Sequence, residues 1–416
     1  MARAGWCVAV VATLLASGIA GGPAAVAAAP GGGDVLADQT RLVAAADLIE
    51  GAGGDGYAGI SLAPEKGELA LYWHGTLPAE VQRAVEQVRR EVVVRVLPAA
   101  HSERELLAVA QRLAREPGVT GVGPKVDGSG LWLGYAGSVA SAESVPAIRD
   151  AGVDVDLERR EYMRSAELAV PSQCALMPVD RQVDWCPFSG GATFTFPSGG
   201  GRSRCTTGWP VEASGVPGGS DPQYLLTAGH CGSDGLAVTN SVGAPMGTVE
   251  KDTDSRDIML VKAPAAASIF VGAWSSNTLK PVGGTAGNHV GEYVCTSGAV
   301  SGSHCNLRIE ATNALITLTP PTGAPYPVAP MVIAASHDGS VAVAGGDSGG
   351  PVTTNAFQPS SVYGVGTISG GDIDIRCPQG TVAQTTPCYQ RVTYSPLQES
   401  LAYYRTTLFD LHLMTG

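Results

Sequence analysis

The chain has 416 residues, more than one domain usually spans, so two folded parts with processing segments are expected. A net charge of -12 provides no basic field, and no Lys/Arg cluster is interleaved with aromatics, which excludes nucleic acid as an expected partner. With 44 % hydrophobic residues, only 15 % charged and 55 glycines, the composition suits short strands and turns better than long surface helices.

The amino terminus carries Arg3, an apolar run from Cys7 to Ala20, and small residues in A-x-A frames ending near Ala27 or Ala29. This is the layout of a secretory leader, expected over residues 1–29. A spanning helix needs about 20 apolar residues, and this run is shorter. An extracellular protein with no membrane contact after leader removal is therefore expected.

Residues 30–158 contain no cysteine and mix two periodicities. Strands are predicted at Gly59 to Ala63, Glu68 to Trp73 and Val92 to Leu97, with a helix over Pro78 to Arg89. A second helix, Ser102 to Arg115, opens on a capping box of Ser102 and Glu105, and strands follow near Val119 to Val122 and Leu131 to Tyr135. The region reads as a small α+β unit. Residues 159–173, charged and then small, read as a linker with a processing site.

Residues 174–416 change to strands and turns. Strands are predicted at Thr193 to Phe196, Tyr224 to Thr227, Asp257 to Val261, Ile309 to Leu318, Val352 to Thr354 and Val362 to Ile368. A terminal helix is predicted with Ser395 as cap, Pro396 in the first turn and Gln398 closing the box. Of nine cysteines, Cys7 leaves with the leader, and the remaining eight form four sequence neighbours: Cys174 with Cys186, Cys205 with Cys231, Cys295 with Cys305, Cys377 with Cys388. An even number outside the cytosol implies disulfides, and that pairing is expected, although connectivity stays formally open. No C-x-x-C or H-E-x-x-H spacing occurs, so neither a metal nor a cofactor is expected.

Two strings carry chemistry. In YLLTAGHC, Tyr224 to Cys231, an apolar strand runs into a tight turn that leaves His230 beside a cysteine, a rigid seat for a general base. In GGDSGGP, Gly345 to Pro351, Ser348 is a nucleophile that needs such a base. The amides of Gly346 and Ser348 can converge on an oxyanion, while Gly349 and Gly350 permit the backbone this requires. The third member is a carboxylate that orients the histidine. Asp257 is chosen over Asp252 and Asp254 because it directly precedes the apolar strand that buries it, whereas the other two read as solvated loop residues. The same run lacks the glycine and distal glutamate of a calcium loop. Gly346 to Gly350 also fits the nucleophile elbow of α/β-hydrolases, but there the serine precedes the acid and the histidine, whereas here the order is His, Asp, Ser.

With TAGHC, the Arg256-Asp257-Ile258 step and GGDSGGP together, the region from Cys174 to Tyr404 resembles secreted bacterial chymotrypsin-like serine proteases of the streptogrisin and alpha-lytic type. VGEYVCTSGAVSG, Val290 to Gly302, and YSPLQESL, Tyr394 to Leu401, are similar to further motifs of that family, and ALYWHGTLPAEV, Ala70 to Val81, to its large propeptides. The resemblance implies an all-β catalytic domain, a double β-barrel with a C-terminal helix, preceded by a small α+β propeptide domain. It implies a monomeric endopeptidase acting on polypeptides, whose own propeptide assists folding, blocks the cleft and is removed by self-cleavage. Non-catalytic binding and ester hydrolysis on the same fold are the competing functions.

Two positions depart from the family pattern. Relatives pair the aspartate before the serine with an arginine in a C-R-S-G string; here Cys295 is followed by Thr296, which leaves the partner of Asp347 open. Relatives carry a cysteine across the specificity pocket where Ala344 stands, so Cys377 is assigned to Cys388. The pocket walls are then Ala342 and Val343 on one side and Ser369, Gly370 and Gly371 on the other, the latter able to pair with substrate as an added strand. With no acid at that floor, an apolar or aromatic residue is expected before the scissile bond, unless Asp372 or Asp374 reverses it.

Overall fold

The computed structural model describes residues 32–165, 168–170, 180–198, 200–214, 221–319, 324–354, 360–380, 382–383 and 386–416. The expected leader and Cys174 lie outside the described residues.

The alternation in Glu68–Trp73 turns Leu69, Leu71 and Trp73 to one side, where they pack with Val81 and Val85 of the helix Ala79–Val88. That helix is the crossover joining Glu68–Trp73 to its parallel neighbour Val93–Pro98, and Tyr57–Ala63 pairs antiparallel on the other edge. A helix not anticipated from sequence, Gly32–Gly51, closes the core with Leu42, Ala46 and Ile49. The predicted box on the helix Glu103–Leu113 is formed: the Ser102 amide donates to Glu105, and the Glu105 amide donates to the Ser102 hydroxyl. Its buried face, Leu106, Ala110 and Leu113, covers a second small sheet of Val119–Pro124, Gly130–Tyr135 and Asp154–Arg159.

The remainder forms two all-β halves, here called the first and second barrel, followed by a terminal helix. Gln223–Thr227 and Ile258–Lys262 are neighbouring antiparallel strands buried on both faces, which is why each reads as a continuous apolar run. Leu225, Met259 and Val261 face one core with Phe194 and Cys205, whereas Leu226, Ile258 and Leu260 face another with Trp209 and the terminal helix. The second barrel is centred on Val294, Ile309, Val332, Val365 and Ile368. Three cysteine couples are bonded, Cys205–Cys231, Cys295–Cys305 and Cys377–Cys388. Cys186 is exposed, and its expected partner is outside the described residues.

The terminal helix spans Leu397–Thr407, one residue later than expected, with Pro396 at its cap position and no side-chain cap. Ser395 does not cap it because its hydroxyl donates to the Arg256 carbonyl at 2.8 Å. Gln398 closes no box either, since its amide donates to Thr285 Oγ1.

Several contacts join the amino-terminal region to the barrels. Val119–Pro124 extends the long strand Gly302–Thr319, with Leu315 opposite Val122 and Ile316 opposite Gly121. The buried Gln39 donates to the Tyr293 carbonyl at 2.8 Å and accepts from the Tyr293 amide at 2.9 Å. His289, 1 % exposed, has Nε2 at 2.9 Å from Asp47 and Nδ1 at 3.5 Å from Glu50, both on the first helix. No helix among the described residues is long and apolar enough to cross a membrane.

Candidate active site

The strand Gln223–Thr227 ends in a single tight turn, Gly229–Cys231, that carries His230, and the Cys205–Cys231 disulfide ties this turn to the neighbouring strand. Only glycine fits at 229, since a Cβ there meets Asp252 Oδ1 at 2.9 Å and the Ile258 amide at 3.0 Å. Asp257 follows the short turn Asp254–Arg256 with φ +50°, a left-handed conformation that Asp adopts more readily than most residues. The turn brings its fully buried carboxylate back to the histidine. Oδ1 accepts from the His230 amide at 2.9 Å and lies 2.8 Å from His230 Nδ1. Burial pushes this carboxyl up, but the His230 imidazole and its hydrogen bonds outweigh burial and hold it below the usual carboxylate range. The Ser369 hydroxyl acts on the same carboxylate, although Oδ2 lacks a well-formed hydrogen bond. Asp252 differs from the solvated residue expected. It is half-buried with an unpartnered Oδ1, and burial followed by the charges of Asp254, Asp257 and Asp234 pushes it up to about 7.

Ser348 is buried, with Oγ 2.8 Å from His230 Nε2 and 3.2 Å from the Ser369 carbonyl oxygen. The serine loop needs its glycines: at Gly349, φ +88°, a Cβ lies 1.9 Å from Thr227 Oγ1 and 2.4 Å from the Thr206 carbonyl. Around the serine, the amides of Gly345, Asp347, Gly349 and Gly350 donate to Pro387, Ala344, Ile368 and Asp347 carbonyls. Among the described residues the amides of Gly346 and Ser348 have no such acceptor. Thr206, from the first barrel, fastens the loop: its amide donates to the Ser348 carbonyl at 2.7 Å and its hydroxyl to the Gly346 carbonyl at 2.9 Å.

The structure supplies the surroundings of Asp347 that the sequence left open. Oδ1 accepts from the amides of Val300 at 2.8 Å and Ser301 at 3.0 Å; Oδ2 accepts from the Ala344 amide at 2.8 Å and the Ser301 hydroxyl. Gly298 leaves no room for a side chain here, a Cβ falling 2.0 Å from Asp347 Cγ. The nearby cation is Arg181, fully buried, donating to the Gly298 carbonyl at 2.6 Å and Ser297 Oγ at 3.2 Å. Burial lowers Arg181 to about 10, with Asp347 and Asp180 pulling the other way. Burial likewise raises Asp347, against the Ser301 and Ala344 hydrogen bonds and the His304 charge. Thr296 instead hydrogen-bonds the Ala342 carbonyl at 2.7 Å, bracing the proposed pocket wall.

The two expected pocket walls come together. Val343 pairs with Tyr389 across a strand ladder, and a Cβ on Gly371 meets Tyr389 Cβ, Tyr389 Cγ and Val343 Cγ1, each at 2.7 Å. Ala342, Ser369 and Gly370 line the same buried region. Asp372 is engaged elsewhere, bound by Arg391 Nε and Nη2 and by Arg160 Nε, each at 2.9 Å, while Asp374 is exposed. Burial raises Asp372, but its hydrogen bonds from Arg391 and the two guanidinium charges keep it below the usual range. Sequence reasoning did not find Tyr389 or Arg181, because each acts on residues distant in the chain. Among the described residues two clusters have metal-ligand residue types: Cys205, His230 and Cys231, in which the two sulfurs are bonded to each other, and Asp47, Glu50 and His289.

Two short segments that precede the barrels in sequence pair with barrel strands. Met163–Ser165 lies antiparallel to Val362–Ile375, with Ser165 opposite Gly370 and Arg164 opposite Gly371. Leu168–Val170 lies antiparallel to Gly201–Thr206, with Leu168 opposite Arg204. Met163 is buried among Ile316, Leu318, Met331 and Ile333.

No protein-family model and no curated relative matches the chain. Among solved structures it is similar to Thermobifida fusca Protease A and a Nocardiopsis protease, each at 23 % identity, a TM-score of 0.39, and covering 55 % of this chain and 98 % of theirs. It is also similar to Cellulomonas bogoriensis chymotrypsin, at 26 % identity and a TM-score of 0.38 over the same shares.

Proposed function

We propose that this chain is the precursor of a secreted serine endopeptidase that forms an acyl-enzyme on Ser348. The observation that carries the reading is the unbroken relay Asp257 Oδ1, His230 Nδ1, His230 Nε2, Ser348 Oγ, with 2.8 Å at each contact. Ser348 Oγ attacks the scissile carbonyl while His230 Nε2 takes its proton; Asp257 fixes the tautomer that keeps Nε2 open and stabilises the imidazolium. The carbonyl oxygen becomes an oxyanion facing the amides of Gly346 and Ser348, each worth about 3 to 4 kcal/mol in such a role. His230 then gives its proton to the leaving amine, and water repeats the sequence to free Ser348.

The chain's own pairing with the cleft supports the precursor reading. Strands on both sides of Ser348 make residues 163–170 the first substrate, and counting inward from Ser165 and Leu168 leaves Ala166–Glu167 as the bond to be cut. The amino-terminal region then serves as an inhibitor that occupies the cleft until cleavage.

The test is to express the precursor beside Ser348→Ala and follow size and casein hydrolysis. The parent is expected to mature to a chain starting at Glu167, read by terminal sequencing, and to digest casein. The variant is expected to remain uncut and to lose at least about 10⁴-fold in activity. A variant that matures and digests casein like the parent would refute the mechanism.

A further inference from the structure

In the proposed endopeptidase the amides of Gly346 and Ser348 face the oxyanion, and Asp347 stands between them in the chain. The direction of both amides therefore depends on where the Asp347 side chain is held. It is held by the turn that joins Tyr293–Gly298 to Gly302–Thr319 and by one amide of the serine loop's own approach. The amides of Val300 and Ser301 fill Oδ1, while the Ala344 amide and the Ser301 hydroxyl fill Oδ2. A carboxylate offers about four acceptor positions, so all are taken. Three of the donors are fixed by the backbone. The fourth, the Ser301 hydroxyl, is the one that can rotate away without moving the chain.

What restrains that rotor is His304, on the returning strand, with Nε2 at 2.9 Å from Ser301 Oγ. The Ser301 proton is committed to Asp347, so Oγ can only accept from the ring, which requires the Nε2–H tautomer. Burial holds this ring below the usual histidine range against the charge of Asp347, so near neutral pH it carries one proton, the one used here. The strand is itself anchored, because Cys305 is bonded to Cys295 and His304 lies opposite Thr296 in the ladder. A chain of donors thus runs from His304 through Ser301 to Asp347 and ends one peptide away from the nucleophile. Successive hydrogen bonds polarise one another, so losing the first weakens the second. Arg181 does not stand in for it, since its guanidinium donates to the Gly298 carbonyl and the Ser297 hydroxyl.

We propose that His304 is a positioning residue of this site, holding the Ser301 hydroxyl on Asp347 and, through it, the amides of Gly346 and Ser348 in the direction an oxyanion requires. This rests on the endopeptidase reading above.

The experiment uses enzyme matured from the full chain, counted by fluorophosphonate labelling of Ser348, and a quenched-fluorescence peptide built on a site the parent cuts in casein. His304→Phe keeps a ring but removes the donor, and is expected to lower kcat at least tenfold while KM stays within threefold. A peptide aldehyde, whose adduct on Ser348 places an oxygen before the same two amides, is expected to bind that variant at least tenfold more weakly. His304→Gln can donate through its side-chain amide and is expected to return kcat to within threefold of the parent. Added to Ser301→Ala, His304→Phe is expected to change kcat less than twofold, because the hydroxyl between them is already gone. If His304→Phe does not mature, His304→Ala is read in its place. An unchanged kcat, a loss seen in KM instead, or a Gln variant as slow as the Phe variant would overturn the proposal and leave the endopeptidase reading intact. Failure of all three His304 variants to mature would assign the residue to folding and overturn it as well. No hydrolysis by the parent, together with no labelling of Ser348, would overturn both.

Discussion

At the scale of single residues, Asp257 serves two nitrogens of one partner, the backbone amide of His230 and its ring Nδ1, through one oxygen. Asn tolerates the left-handed backbone at this position nearly as well as Asp, so Asp257→Asn tests charge and tautomer without straining the turn. Activity is expected to fall about 10⁴-fold, with the urea midpoint little changed. Ser301→Ala is the complementary case. It removes the hydroxyl on Asp347 Oδ2, a buried carboxylate with few alternatives, and is expected to cost about 1 to 3 kcal/mol in urea unfolding. His230 and Ser348 each sit in a short glycine-bearing string that points to them from sequence, whereas Asp257 is a choice among three nearby carboxylates; the structure brings the three into hydrogen-bond contact. Arg181 and Tyr389 were not legible, since what gives them meaning is a pairing across strands rather than anything nearby in the chain.

At the scale of elements, the strands were legible where apolar runs met glycine turns, and the box at Ser102 was legible because it is local. The terminal cap was misread for the opposite reason: a distant carbonyl, that of Arg256, claims the Ser395 hydroxyl. The helix Gly32–Gly51 reveals its purpose only through its partner. Burial would push His289 down, but its hydrogen bonds to Asp47 and Glu50 and the charges of Glu50 and Glu292 raise it to about 10. Glu292, buried beneath it, is pushed up to about 7 by burial, against the His289 charge and a Thr354 hydrogen bond. Glu399, from the terminal helix, and Glu103, beside Glu50, complete the charged surroundings. Both raised groups favour docking of the helix in their protonated forms. Their contributions are fully present at low pH; that of Glu292 is lost as pH rises through about 7, and that of His289 as it rises through about 10. In a Ser348→Ala precursor, deuterium exchange of the first helix, corrected for intrinsic rate, should therefore lose protection between pH 7 and 10.5. His289→Gln should flatten that dependence; an equally steep profile in the variant would assign the loss to other groups.

At the scale of the whole molecule, the amino-terminal region shares a sheet with the second barrel through Val122 and Gly121 on Leu315 and Ile316. No composition or periodicity could announce this, because both partners already look like ordinary strands. Separation after cleavage would leave the edge of Gly302–Thr319 uncovered. Amide exchange at Leu315 and Ile316 is accordingly expected to speed up on maturation; unchanged rates would mean that the excised region stays docked.

Met163–Ser165 pairs with the strand that carries Ser369, and Leu168–Val170 with the strand that carries Thr206. Thr206 ties the first barrel to the serine loop through the Gly346 carbonyl. On the proposed endopeptidase reading, a target that pairs in the same way must give up its own helix or sheet over about eight residues before a bond reaches Ser348. Susceptibility is then expected to track local unfolding of the target as much as its sequence. Loosely structured proteins are expected to be cut ahead of well-folded ones, the disulfide-tied barrels among the latter.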